Sequence, residues 1–187
     1  MSYKKVVVPL DGSKLAEIVI PHVEEIASGC HIEEIELVTV TESLRVYASQ
    51  SEGVEQYKPH YGSADRLSGR IYRADSVSLL QVPLDVGKMA KSGRDYLLRI
   101  AKRLESKGLN PRINVLVGNV AEEIVHFAEE EKVDLIIMAS HGRSGISHWA
   151  IGSVAEKVFR ATDIPLLLVK PKSNFKETKP GRKGKPG

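Results

Sequence analysis

The residues with the most chemical promise lie between His141 and Ser153, in the stretch HGRSGISHWAIGS. Gly142, Gly145 and Gly152 let backbone N–H groups approach a bound group closely. Ser153 then opens a helical pattern through Val154, Ala155, Val158 and Phe159. Unpaired amides and the dipole at a helix N-terminus favour an anion, phosphate above all. Arg143, His141 and His148 make the surroundings friendlier still to negative charge. A plain strand-to-helix connection, with glycines that only satisfy turns, would use the same residue types. A second group of interest is Asp11, which with Gly12 and Ser13 follows another apolar run; a helix-capping aspartate would read the same way.

These residues need a scaffold, and the chain alternates short apolar runs with helical stripes. Val133–Met138 is nearly unbroken apolar sequence, as expected of a strand buried on both faces of a parallel sheet. Lys5–Leu10, Ile35–Val40, Arg112–Val117 and Pro165–Val169 read as further strands. Leu15, Val19, Val23 and Ile26 share one face of a helix that Pro21 kinks or breaks. From Lys88 a stripe of Tyr96, Leu97, Ile100, Ala101 and Leu104 predicts a helix closed by Gly108. Ile124, Phe127 and Ala128 mark another, and Ser153–Ala161 the last. Asn119 with Glu122, and Ser153 with Glu156, have capping-box spacing. Gly118 ends the third strand, as a turn glycine or as a wall of the site.

Ser43–Val86 interrupts this alternation. It is polar, with Tyr47, Tyr57, Tyr61 and Tyr72 among Arg66, Arg70 and Arg73. Such mixtures can stack on bases, but an insertion of this kind is more commonly a lid or partner-facing loop, and nucleic acid is not assigned to it. Pro83 limits Val77–Leu80 to about one helical turn.

At 187 residues the chain fits one domain with a real core. The domain is read as residues 1–171 with an insertion at 43–86, followed by a basic tail at 172–187 that is expected to be disordered. That tail holds six Lys/Arg and one Glu, so it carries +5 of the net +3 and leaves the rest at −2. One cysteine, Cys30, allows no internal disulfide. No apolar run reaches the roughly 20 residues of a membrane span, and none reads as a signal peptide, so a cytoplasmic protein without a membrane partner is expected. No GxxxxGK[ST] loop, G-x-G-x-x-G fingerprint or G-x-S-x-G elbow occurs. The histidines form no metal-ligand spacing with carboxylates or Cys30. Nothing arranges a base to activate water against a γ-phosphate, so efficient hydrolysis is not expected.

The loop resembles the nucleotide loop of the universal stress protein family, whose ATP-binding branch carries Gly-x-x-Gly, nine residues, then Gly-Ser or Gly-Thr. Here Gly142 is followed by Arg143 to Ile151 and then Gly152-Ser153, while the first glycine of the pattern is Ala139. A methyl group there would crowd a ribose or tilt the strand end. KKVVVPLDGS and IPLLLVKP also resemble the family, and the likeness covers residues 3–42 and about 88–171. It implies an open five-stranded parallel sheet of order 3-2-1-4-5 with helices on both faces, a Rossmann-like α/β fold. It implies ATP with Mg2+ or Mn2+ as ligand, and a homodimer through the fifth strand. The site would comprise Pro9, Asp11, Val40, Gly118, Met138, Ala139, His141, Gly142, Gly152, Ser153 and Val154, with no protein ligands to a metal and no catalytic residue. In that order Asp11 faces the glycine loop across one crevice and, being acidic, belongs at the nucleoside end or near a metal ion. Val40 would offer backbone hydrogen bonds to the adenine edge. The function implied is a dimeric stress-response or regulatory module. Two other readings stay open: a nucleotide-free relative acting through an unknown protein partner, and a slow ATPase.

Overall fold

The computed structural model describes residues 3–41, 72–73, 84–141 and 151–172. Within these, the apolar runs form β1 (Lys5–Pro9), β2 (Glu34–Thr41), β3 (Tyr72–Arg73), β4 (Pro111–Val117), β5 (Leu135–Ala139) and β6 (Leu166–Val169). They make one sheet in the order β3-β4-β2-β1-β5-β6. Five strands, β4-β2-β1-β5-β6, run parallel, and numbered among themselves they have the expected order 3-2-1-4-5. The addition is β3, which lies antiparallel on β4 with Tyr72 opposite Val115 and Arg73 opposite Asn114. Two residues carry no alternation, so no pattern marks this strand inside the polar stretch that contains it.

The helices cover both faces because the strands are apolar on both. A 3-10 turn at Ala16–Val19 leads into α1 (Ile20–Gly29), with Pro21 in its first turn. The break expected at Pro21 is this change of helix type, placed where a missing N–H costs no helical hydrogen bond. α2 (Leu84–Glu105) begins earlier than Lys88 and takes in the last residues of the expected insertion. α3 spans Val120–Glu130 and α4 spans Ser153–Ala161. On one face Val6, Val8, Ile35 and Leu37 pack with Val19 and Val23 and with Leu97 and Leu104 of α2. On the other, Val7, Val38 and Ile136 pack with Ile124 and Phe127 of α3 and with Ala155 and Val158 of α4. Each such buried aliphatic side chain contributes about 1.5–3 kcal/mol. None of the helices among the described residues is long and apolar enough to cross a membrane.

Three helices end in the same way, with a left-handed residue. Gly108 has φ +77°, and Leu109 N–H reaches back to Leu104 O at 3.2 Å. His31 (φ 55°) and Lys132 (φ 53°) hold the matching position after α1 and α3, where Ile32 N–H bonds to Ala27 O and Val133 N–H to Ala128 O. Only the first of the three is a glycine, the residue for which this conformation is free of strain.

The amino ends of the strands are tied by charge. Lys5 Nζ lies 2.8 Å from Glu34, 3.0 Å from Glu131 and 3.6 Å from Glu36. Arg112 also pairs with Glu34. Glu36 is buried and accepts a hydrogen bond from Asn114 Nδ2 at 2.6 Å; burial pushes its carboxyl above the usual range. The opposite, carboxyl ends are left for ligand chemistry.

Candidate functional site

β1 and β5 are neighbours, yet the chain leaves them to opposite faces, toward α1 after β1 and toward α4 after β5. Strands that part in this way open a crevice beyond their carboxyl ends. Pro9, opposite Val38, ends β1 on one side of it, and Ala139 ends β5 on the other.

On the β1 side, Asp11 does not cap the helix. Its Oδ1 accepts from Ser13 N–H at 2.9 Å, and it is Ser13 Oγ that accepts the Ala16 N–H, at 3.0 Å. Asp11 therefore shapes the turn through Gly12 (φ 83°). The Tyr96 hydroxyl of α2 is buried against this turn, and burial, with Glu17 and Asp11 adding to it, pushes its pKa upward. Further along the edge, the ladder of β1 with β2 ends where Leu10 N–H donates to Val38 O at 2.8 Å. Val40 has the parity of Val38, so its N–H and C=O turn to the β1 side beyond this rung.

The β5 side is built by one close approach. Gly152 N–H donates to Ser140 O at 2.7 Å, and a β-carbon on Gly152 would lie 3.0 Å from Ser140 O and 3.3 Å from His141 Cα. Its φ of −62° suits any residue, so the glycine is required by space and not by conformation. Gly152 is the N-cap of α4, which places Ser153 inside the helix at its first position. The capping box expected of Ser153 and Glu156 is not formed. α4 has no side-chain cap, and the Glu156 carboxylate instead meets Arg160 at 3.0 Å. Asn119 likewise is the N-cap of α3 without a side-chain cap bond. The N–H groups of Ser153, Val154 and Ala155 precede the first bond of α4, from Glu156 N–H to Gly152 O. Ser153 is exposed and Val154 half-buried.

His141 is 6% exposed, with Nδ1 at 3.0 Å from Ser140 Oγ, and its buried Nε2 has no hydrogen-bond partner among the described residues. When the Ser140 hydroxyl donates to Nδ1, Nε2 carries the proton and becomes an unmatched donor. Met138 and Ala139 are 6% and 7% exposed. Ala139 belongs to the core cluster on the α1–α2 face, so its methyl group is part of the packing there. Gly142, with Arg143, Ser144, Gly145 and His148, lies outside the described residues.

Gly118 follows β4 at the same edge of the sheet. Its φ is +154°, its N–H donates to Thr41 O at 3.1 Å, and a β-carbon on it would collide with the Glu123 carboxylate, whose Cδ would be 2.8 Å away. Glu123 was not among the expected site residues. It is half-buried, and burial raises its carboxyl above the usual range. Its only signal in the sequence is a position one turn into the helix that follows a strand-ending glycine. Among the described residues no group of three or more His, Cys, Asp or Glu is placed to hold a metal.

Residues 2–170 match the sequence model of the Universal stress protein family. The chain is 31% identical over 172 residues to universal stress protein MJ0577 of Methanocaldococcus jannaschii, covering 92% of this chain and 98% of that protein. The solved structure of MJ0577 superposes with a TM-score of 0.67 at 28% identity, covering 93% of this chain and all of that one. A universal stress protein in complex with cAMP has a TM-score of 0.55 at 19% identity, covering 91% of this chain and 98% of its own. An Arabidopsis thaliana member with AMP bound has a TM-score of 0.55 at 14% identity, covering 91% and 94%. At these lower identities the likeness is one of fold.

Proposed function

Because the chain belongs to the universal stress protein family, we propose that it binds ATP, as the Mg2+ or Mn2+ complex, in the crevice beyond β1, β2 and β5 and acts as a dimeric stress-response module. The observation that carries this reading is the pairing of the α4 N-terminus with a buried histidine nitrogen that has no partner among the described residues. Gly152 is held on Ser140 O, so the amides of Ser153, Val154 and Ala155 open beside His141. A helix start favours a phosphate chain, and the imidazole beside it would add a donor in the tautomer with the proton on Nε2. Adenosine would extend from there past Asp11 to the Val40 backbone groups that face the β1 side. Two family members of the same fold hold cAMP and AMP, which supports a nucleoside phosphate as the ligand class. At Ala139, the one position that departs from the glycine pattern, the methyl group packs in the core cluster, which supports a ribose path that it does not block.

The metal enters as part of the ligand, bound to its phosphates, and Asp11 is the carboxylate nearest that role. β6 pairs only with β5 among the described strands, and its outer edge suits pairing with a second copy. Mass spectrometry of nucleotide released from gently purified protein, followed by calorimetric titration with Mg-ATP, tests the reading. Saturable binding that Gly152→Ala weakens supports it. Absence of both retained nucleotide and titratable binding would leave a family member that works through protein contacts alone.

A further inference from the structure

The carboxyl edge of the sheet carries a second carboxylate besides Asp11, and its surroundings give it a use. Glu123 sits in the first turns of α3, and its carboxylate lies over Gly118 at the carboxyl end of β4. Gly118 N–H is bonded to Thr41 O, so this carboxylate stands where β4 and β2 end together. No side chain at position 118 other than hydrogen would leave it there. Among the described residues the Glu123 carboxylate makes no hydrogen bond and no ion pair. Burying part of a carboxylate without partners costs free energy, which a bound donor would recover. The upward push on its carboxyl, caused first by burial, agrees with a group short of donors.

We propose that Glu123 is a specificity-determining residue of the nucleotide site, its carboxylate accepting a hydrogen bond from the exocyclic amino group of the base. The inference rests on the ATP reading above. An ionised carboxylate only accepts, and it repels phosphates, so the part of a nucleotide that meets it must be a donor at the end away from the phosphate chain. The strand order supplies the direction. With phosphates on α4 beyond β5 and the ribose beside Asp11 beyond β1, the base falls beyond β2 and β4. From β5 to β4 is three inter-strand steps, about 14 Å, the reach of an extended nucleoside triphosphate. Val40 C=O can take one hydrogen of the amino group from the β1 side, and Glu123 takes the other from the β4 side. A base with a carbonyl at that place would set an acceptor against the carboxylate.

The test titrates wild type, Glu123→Gln and Glu123→Ala with Mg-ATP and with the Mg complex of purine riboside triphosphate, which has the shape of ATP without its 6-amino group. Wild type is expected to prefer ATP by at least tenfold. In Glu123→Ala that preference falls by about tenfold, since a hydrogen bond to a charged group is removed. Glu123→Gln keeps the shape and a neutral acceptor, so its preference falls in the same direction by a smaller factor. Thermal unfolding of the variants reports any structural role, which would move stability but not the ratio of the two affinities. An unchanged ratio in both variants, with ATP still bound, overturns the role of Glu123 and leaves the ATP reading standing. Failure of wild type to bind either triphosphate overturns both together.

Discussion

Replacing Gly152 by alanine is the sharpest perturbation the site allows. The added β-carbon meets Ser140 O at 3.0 Å and His141 Cα at 3.3 Å, and both are backbone atoms that cannot swing aside. The φ of −62° and ψ of 149° accept alanine, so the cost comes from contact and not from backbone conformation. Relief requires a few tenths of an ångström between α4 and the end of β5, which stretches the 2.7 Å bond from Gly152 N–H to Ser140 O. Weakening that bond, crowding the contact and putting alanine at an N-cap should together cost about 2 kcal/mol of folding stability. The same shift moves the amides of Ser153, Val154 and Ala155 away from the phosphates. Losing charge-assisted bonds there should lower Mg-ATP affinity by about 2 kcal/mol, or about thirtyfold. Ser153→Ala is the control: its hydroxyl is exposed and caps nothing, so stability should stay within about 0.5 kcal/mol and affinity within tenfold. Urea unfolding and calorimetry read the two quantities separately. A destabilised Gly152→Ala protein that binds Mg-ATP as tightly as wild type would place the phosphates away from α4. A variant unchanged in both would refute the close approach itself.

Glu36→Gln should be stabilising at neutral pH. Because burial raises the folded-state carboxyl of Glu36, its favourable contribution is complete below the unfolded carboxyl range and is lost as pH rises through the higher folded value. Urea unfolding at pH 4 and pH 8 should therefore show the variant gaining on wild type with rising pH, since glutamine still accepts from Asn114 and Lys5 keeps Glu34 and Glu131. A constant difference at both pH values would contradict this. Lys132→Gly should stabilise by about 0.5–1 kcal/mol in the same assay, by removing left-handed strain at an exposed helix end, and a loss of stability would show that Lys132 has another role. Light scattering at micromolar concentration should give twice the chain mass, and Leu167→Lys should return a monomer; a wild-type monomer would remove the edge-pairing argument.

The parallel strands were legible because β1, β2, β4, β5 and β6 are apolar runs with few other uses, whereas their order was implied by the likeness to the family and by no pattern in the runs themselves. Gly108 was legible as a helix end because αL geometry singles out glycine, whereas His31 and Lys132 hold the same geometry without any sign of it. The capping boxes were misleading for a tertiary reason. The start of α4 is fixed by Gly152 N–H on Ser140 O, a contact with the end of β5, so Ser153 falls one place too late to cap. Local spacing cannot register such a contact. Asp11 and Ser13 exchanged roles for a similar cause: two adjacent acceptors compete for the same turn, and only the backbone path decides which one takes the Ala16 N–H. Glu123 was invisible because an acidic residue in the first turns of a helix is ordinary, and only the glycine beneath it makes it unusual.

The two-residue strand β3 gives the sheet unlike borders. At one end lies β6, a four-residue parallel strand; at the other, β3 runs antiparallel over Asn114 and Val115. If two molecules joined through β6 about a twofold axis, the outward rims of the joined sheet would, among the described residues, both be β3, each a stretch too brief to template another chain. Assembly by this route would count to two and stop. A surface that could otherwise seed a growing fibre would then be closed off by a segment from the least patterned region of the sequence.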